Sequence, residues 1–219
     1  MSVFGGSEMK NVRMKKLLLV FMIACLLFTG CGIIQSDAVT ITPLSDTTME
    51  NLTDAILSVS LEEGDAYVDD TGKMQMDLKI YTYDKYDMVD VAALEKGDII
   101  VTNAGEVKIK SIERDAEGIV SINGGFADGG LNLVTEDDGI FYEIGAYNEK
   151  NWYEVGEATI RVSVDFVGLD YADPEQGEVI LYPGSFLINE VTNYNFTPYN
   201  TKIRVENGQI VEMHRSYVD

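Results

Sequence analysis

The chain reads as mainly β: an antiparallel β-sandwich or barrel of short strands with one or two short helices. Three features of its 219 residues carry that expectation. Pairs of glycine with aspartate or asparagine recur at short intervals, from Gly64-Asp65 through Asp70-Thr71-Gly72, Gly97-Asp98 and Asp138-Gly139 to Asn207-Gly208, and such pairs mark turns. The runs between them are short and alternate apolar with polar residues, the period of a half-buried strand. Helical spacing persists in only two places, residues 87–94 and 185–191, each about two turns long.

The first element is the stretch 15–31, Lys-Lys-Leu-Leu-Leu-Val-Phe-Met-Ile-Ala-Cys-Leu-Leu-Phe-Thr-Gly-Cys. Lys10, Arg13, Lys15 and Lys16 precede the unbroken apolar run 17–28, with only Glu8 opposing them. A membrane-spanning helix needs roughly 20 apolar residues, so the run has the length of a signal-peptide core. Met14 is the start that gives a Met-Lys-Lys leader. The stretch Leu27-Phe28-Thr29-Gly30-Cys31 resembles the lipobox of bacterial lipoproteins: Gly30 and Cys31 fit it, Thr29 is acceptable, and Phe28 stands where leucine is usual. The resemblance implies cleavage before Cys31 and lipid attachment at its sulfur, a diacylglyceryl thioether with palmitate-type chains. It places the protein on the extracytoplasmic face of the cell membrane. One acyl chain binds a bilayer only marginally, at about 0.8 kcal/mol per buried methylene, whereas two hold lastingly.

Three segments follow from this: residues 1–30 as a lipoprotein signal peptide, 31–50 as a flexible tether, and 51–219 as a single mainly-β domain. The tether is rich in Ser, Thr and Asp and keeps no period. Twenty such residues span about 25 Å as a coil.

Within the domain, 74–80 alternates clearly, with Met74, Met76, Leu78 and Ile80 on one side and Gln75, Asp77 and Lys79 on the other. In 161–166, Val162, Val164 and Phe166 oppose Arg161, Ser163 and Asp165. The further strand candidates are 55–61, 99–101, 106–112, 118–122, 131–134, 140–144, 152–155 and 178–182. Gly124, Gly125, Gly129 and Gly130 flank Phe126-Ala127-Asp128; with no helix following to bind phosphate, they read as a mobile tight connection. The last hairpin joins 201–205 to 209–217. A two-residue Asn207-Gly208 loop would pair Val205 with Ile210 but Ile203 with Glu212, mixing apolar and charged residues on one face. A three-residue loop pairs Ile203 with Val211 and Thr201 with Met213, and the preference goes to it because a one-residue slip turns every side chain over. His214 then lies on the outer face with Lys202 and Glu212.

Charge narrows the function. Residues 1–30 carry four basic side chains and one acidic one, so the remainder carries 12 Lys and Arg against 36 Asp and Glu, a net charge of −24. Such a surface repels phosphate backbones, which argues against nucleic acid as a partner, and it repels anionic headgroups, leaving membrane lipid contact to the acylated Cys31. Beyond Cys31 there is no cysteine and only one histidine, His214. Catalytic triads and zinc sites draw on those residue types, so the expectation is a non-enzyme without cofactor or metal, His214 being a solvated position. Carboxylates are abundant. A glycosidase-type acid pair or a calcium site would draw on Asp84, Asp87 and Asp90, on Asp69-Asp70, on Glu136-Asp137-Asp138, or on the acids from Asp170 to Glu178. Aromatic residues cluster at Tyr81, Tyr83 and Tyr86, at Phe141, Tyr142, Tyr147, Trp152 and Tyr153, and at Tyr194, Phe196 and Tyr199. They serve either as core or as a platform for a sugar ring or protein partner, and Trp152, Tyr153 and Tyr147 are the candidate ligand contacts.

The Lys96-Gly97-Asp98 turn ahead of the strand at 99–101, the strand 105–109 and the terminal hairpin 203–212 together resemble a group of uncharacterised lipoproteins from Gram-positive anaerobes. That resemblance implies a surface lipoprotein and carries no activity or site. The expectation is a membrane-anchored extracytoplasmic lipoprotein with a non-catalytic binding or accessory role toward an envelope glycan or protein. The alternatives are a carboxylate-dependent glycan hydrolase and a cation-binding surface protein.

Overall fold

The strand 74–80 that alternates so clearly in sequence is one wall of a small closed barrel. The computed structural model describes residues 38–44, 47–135, 139–145, 149–171, 173–175, 177–188, 191 and 194–217. Fifteen strands and two short helices are assigned among them: β1 Thr40–Ile41, β2 Ala55–Ser60, β3 Ala66–Val68, β4 Met74–Thr82, β5 Lys85–Asp87, α1 Met88–Ala93, β6 Ile99–Thr102, β7 Gly105–Lys108, β8 Ile112–Arg114, β9 Val120–Ile122, β10 Leu131–Thr135, β11 Ile140–Ile144, β12 Tyr153–Asp170, β13 Val179–Leu181, α2 Pro183–Leu187, β14 Thr201–Glu206 and β15 Gln209–Arg215. The fold is mainly β, with a five-strand barrel and two short helices.

The barrel runs β12-β15-β14-β2-β4 and closes because β4 pairs back to β12. β12 is 18 residues long, long enough to serve two neighbours. Its first half runs antiparallel to β4, from Tyr153 opposite Thr82 to Arg161 opposite Gln75. Its second half runs parallel to β15 and antiparallel to β13. Two irregularities bend it. Val155 is an extra residue against β4, and between Val162 and Val167 the register against β15 jumps. Bulges of this kind increase local twist, which helps a sheet of few strands close. Every second side chain points inward, so Leu57, Val59, Met76, Leu78, Ile80, Ile160, Val162, Phe166, Ile203, Val205, Ile210 and Met213 fill the interior. Burying one such side chain stabilises by about 1.5–3 kcal/mol.

The remaining strands build a second layer with its own core. The sheet β5-β11-β10-β9-β8 and the smaller sheet β1-β6-β7 enclose Ile41, Tyr86, Val91, Leu94, Ile100, Ile109, Val120, Ile122, Leu133 and Phe141. Asp87 caps α1 by accepting from Val89 N at 2.7 Å. At the other end Arg114 Nη2 donates to the carbonyls of Val91 and Leu94, both at 3.0 Å.

Four local expectations change. The stretch expected to be a tether enters the fold at Val39: β1 pairs in parallel with β6, and Ile41 is buried. A two-residue strand is too short to show a period in sequence. The terminal hairpin takes the two-residue loop, with Val205 opposite Ile210 and both Asn207 and Gly208 at positive φ. Facing is restored not by loop length but by a bulge at Val211, after which Ile203 faces Met213 and Lys202 faces His214. The glycine-rich connection is a tightly built turn that carries a single 3-10 turn at Phe126–Asp128 where no helix was expected. Asn123, Gly124 and Gly125 all have positive φ, and a Cβ at Gly130 would stand 2.0 Å from the Ile122 carbonyl oxygen. Asn123 Oδ1 there accepts from Lys110 N at 2.7 Å. The second helix begins earlier, with Pro183 in its first turn, where a missing N–H costs nothing.

The parallel seam of β12 with β15 ends on a buried ion pair. Asp170 and Arg215 are register partners; Arg215 Nε donates to Asp170 Oδ1 at 2.8 Å and Nη2 to Oδ2 at 2.5 Å. The Phe196 ring covers the guanidinium at 4.1 Å, and Arg215 is 1 % exposed. Removing one partner of such a pair leaves a buried charge uncompensated. Arg215→Met is therefore expected to cost about 3–5 kcal/mol in urea denaturation, and adding Asp170→Leu should recover most of it; an Arg215→Met loss below about 1 kcal/mol would contradict this role.

Candidate ligand-binding groove

The alternation that fills the barrel also patterns its outer face. His214, Lys202, Ser58 and Tyr81 stand opposite one another in turn on β15, β14, β2 and β4. Beside this row the β4–β5 turn supplies Tyr83, β5 supplies Lys85, the approach to β12 supplies Lys150 and Trp152, and the turn before β14 supplies Tyr199. With Ile56, Glu149 and Pro198 they line an open groove of about 460 Å³. A second groove of about 420 Å³ shares Tyr81, Trp152, Pro198 and Tyr199 with the first and continues past Tyr194 and Phe196.

Trp152 is held by ring edges. Its centroid lies 4.5 Å from that of Tyr83 at an interplanar angle of 80°, and 6.3 Å from that of Tyr199 at 78°. Tyr83 meets Tyr142 at 5.4 Å in the same edge-to-face manner. Such pairs add about 0.5–1.5 kcal/mol each beyond area burial, so the platform is pre-set. Lys150 Nζ stands 4.3 Å from the Tyr142 ring centre and 5.0 Å from that of Tyr83, and Lys85 Nζ 5.4 Å from Tyr83. Ring faces attract ammonium groups, which places these two charges at the groove wall.

Behind that wall lie two buried carboxylates. Asp84, between Tyr83 and Lys85, accepts from Tyr153 Oη at 3.0 Å and Asn103 N at 2.7 Å. Its carbonyl accepts from Glu143 N at 3.2 Å. Glu143 accepts from Asn151 Nδ2 at 2.8 Å, and its carbonyl accepts from Asn151 N at 3.0 Å, which anchors the approach to Trp152. Glu143 Oε2 is buried without a hydrogen-bond partner. Burial first of all, and the Asp84 charge after it, raise the Glu143 pKa, against a lowering by Asn151. Burial and Asp84 also push the Tyr153 phenol up to about 12, so it remains a donor.

The three candidate contacts separate. Trp152 lines both grooves. Tyr153, one residue on along a strand, spends its hydroxyl on Asp84. Tyr147 and Cys31, the expected site of lipid attachment, lie outside the described residues, as do Glu136, Asp137 and Asp138. The aromatic clusters divide as well: Tyr86, Phe141, Tyr142 and Phe196 are buried, while Tyr81, Tyr83 and Tyr199 line the groove. Lys85, Lys150 and Lys202 went unnoticed as a group because they come from separate segments; their scarcity in an acidic chain was the available signal.

The acidic clusters are absorbed locally. Asp84 lies before β5, Asp87 caps α1 and Asp90 lies in its first turn, so the three do not share a helix face. Asp69 Oδ1 accepts from Thr71 N, Thr71 Oγ1 and Lys73 N at 2.7–2.9 Å, which holds its carboxyl well below the usual range. A groove of about 430 Å³ is lined by Glu62, Asp65, Asp77 and Glu157 with Lys79. There Asp65 caps Glu62 N at 2.6 Å and Asp77 accepts from Thr159 Oγ1 at 2.6 Å. Among the described residues no group of three or more His, Cys, Asp or Glu is placed to hold a metal ion, and no helix is long and apolar enough to cross a membrane. No protein-family model, curated protein or solved structure matches the chain.

Glu143 gives a pH test. A carboxyl whose pKa is raised by folding contributes fully below its unfolded value of about 4.3, and that contribution is lost as pH rises through the folded value. Stability of the wild type should therefore decline as pH rises above about 4.3, and Glu143→Gln should flatten that decline in urea melts. Equal slopes for the two proteins would remove Glu143 as its cause.

Proposed function

We propose that the chain is a lipoprotein anchored through Cys31 to the extracytoplasmic face of the membrane, and that its β domain binds an envelope component without catalysis. The observation that supports binding most directly is the groove around Trp152: pre-set aromatic rings beside three lysines, on a chain of net charge −21. The leader motif supports the anchor. The buried carboxylates Asp84 and Glu143 bear on the hydrolase alternative, because each holds a loop by hydrogen bonds and neither lines the grooves around Trp152. Glycosidases need two carboxyl groups flanking a substrate.

Two measurements test the proposal on the full-length protein extracted in detergent. Mass spectrometry is expected to find a diacylglyceryl-modified Cys31 as the first residue; an intact leader or an unmodified thiol would overturn the anchor. Co-sedimentation with isolated cell envelopes is expected to fall several-fold for Trp152→Ala, since one central aromatic contact is worth about 1–2 kcal/mol in an interface. Turnover of an envelope polymer by the wild type would replace binding with catalysis.

A further inference from the structure

The groove's charge runs against that of the chain. Among the described residues that line it are three of the eight lysines beyond residue 31 and one carboxylate, Glu149, although acids outnumber bases threefold over the same stretch of sequence. From this contrast we infer that the groove takes an anionic sugar chain, with a pyranose ring against Trp152 and Tyr199 and its acidic groups toward Lys85, Lys150 and Lys202. The inference rests on the binding role proposed above and names the ligand chemistry of that same site.

Three observations select a glycan over other anions. Trp152 is partly exposed and Tyr199 half-exposed along the groove, and the C–H face of a sugar is the complement of an aromatic surface. The groove does not end at Trp152 but continues into the second groove across Tyr81, Pro198 and Tyr199, which suits a chain of several units rather than a single small ion. Extended peptides bind by adding a strand to an open sheet edge, and acidic motifs by clusters of arginine, of which the described lining has none. The strands under this groove, β14, β2 and β4, have neighbours on both sides within the closed barrel, so their ladders leave no edge for such a strand. Recognition is left to side chains. A nucleic acid is disfavoured by the acidic remainder of the surface.

Carboxylate and phosphate share this chemistry, and the test separates the two. Full-length protein in a non-ionic detergent is titrated calorimetrically with hexagalacturonate, pentamannosyl phosphate and neutral cellohexaose. At least one acidic oligomer is expected to bind, about tenfold or more tighter than cellohexaose. Which one binds identifies the acid. Its affinity is expected to fall between about 0.15 and 0.5 M salt, where only short-range attraction survives screening. Lys202→Glu, at an exposed position, is expected to weaken it by about tenfold or more, with an unchanged melting curve recorded alongside. The salt series on the wild type is independent of that variant. Binding of cellohexaose as tight as that of the acidic oligomers, an affinity indifferent to salt, or no binding of either acidic oligomer would overturn the inference. If envelopes still sediment the protein in a Trp152-dependent way while both acidic oligomers fail, the binding role stands and only the ligand class falls.

Discussion

One strand has to be in two places. β12 reaches from the antiparallel ladder with β4 to the parallel ladder with β15, and without that reach the seven-stranded sheet would stay open. Closure places Ile160, Val162 and Phe166 of this one strand inside the barrel, together with the side chains of the other four. A parallel pair cannot be joined by a tight turn and needs a long crossover; here β13, α2 and β14 fill the interval between β12 and β15. The seam therefore depends on a crossover rather than a turn, and it ends on Asp170 and Arg215, whose guanidinium is sealed by Phe196. A buried pair is poor evidence of stability in itself, because desolvation offsets much of the attraction. Its use here is registry: a fork of two hydrogen bonds specifies one alignment of two strands, where apolar packing alone would tolerate several.

The groove follows from where the barrel meets the second layer. β4 leaves the barrel at Thr82 and re-enters a sheet as β5 at Lys85, so the two residues between must turn between two hydrogen-bonded frameworks. Asp84 satisfies that turn from inside, taking the Tyr153 hydroxyl from β12 and the Asn103 amide from the β6–β7 connection. Tyr83 and Lys85, its neighbours, are left facing the groove. Glu143 does the same for the approach to Trp152 through Asn151. The candidate groove thus joins strand residues such as Tyr81 and Lys202 to loop residues such as Tyr83 and Trp152, and the loops are held by carboxylates outside its lining. Burial, and after it the nearby Asp84 charge, raises the proton affinity of Glu143.

The mainly-β fold was legible because alternation is local. Met74 to Ile80 faces inward at every second residue without reference to any other strand, and 140–144 is likewise found as β11. What was not legible depended on partners. β12 looked like two strands, 152–155 and 161–166, because the bulge at Val155 and Gly156 breaks the period between them. The parallel seam leaves no local mark at all. In the hairpin the error lay in treating loop length as the sole means of restoring phase, when the extra residue sits at Val211 in the strand. At the site, Trp152 stood out as the single tryptophan, and its neighbour Tyr153 was indistinguishable from it until a hydrogen bond to Asp84 turned it inward. Lys85, Lys150 and Lys202 lie on segments far apart in sequence and meet only after closure.

A cationic groove on a strongly acidic chain also sets how recognition must work. Far from the surface an anionic ligand meets the whole negative charge and is repelled; within contact distance it meets the three lysines. These two terms respond differently to salt. The Debye length shrinks from about 30 Å at 0.01 M to about 8 Å at 0.15 M, so moderate salt removes the distant repulsion before it weakens a charge pair at hydrogen-bond range. The acidic surface then acts as a filter on length: a long polyanion keeps units over the repelling surface, while a short acidic stretch flanked by neutral units does not. In the proposed binding mode aromatic stacking, which salt leaves nearly untouched, would hold the ring while the lysines meet its charge. If the groove takes an anionic chain as proposed, the same excess of carboxylates that argues against nucleic acid favours a sparsely charged chain over a densely charged one.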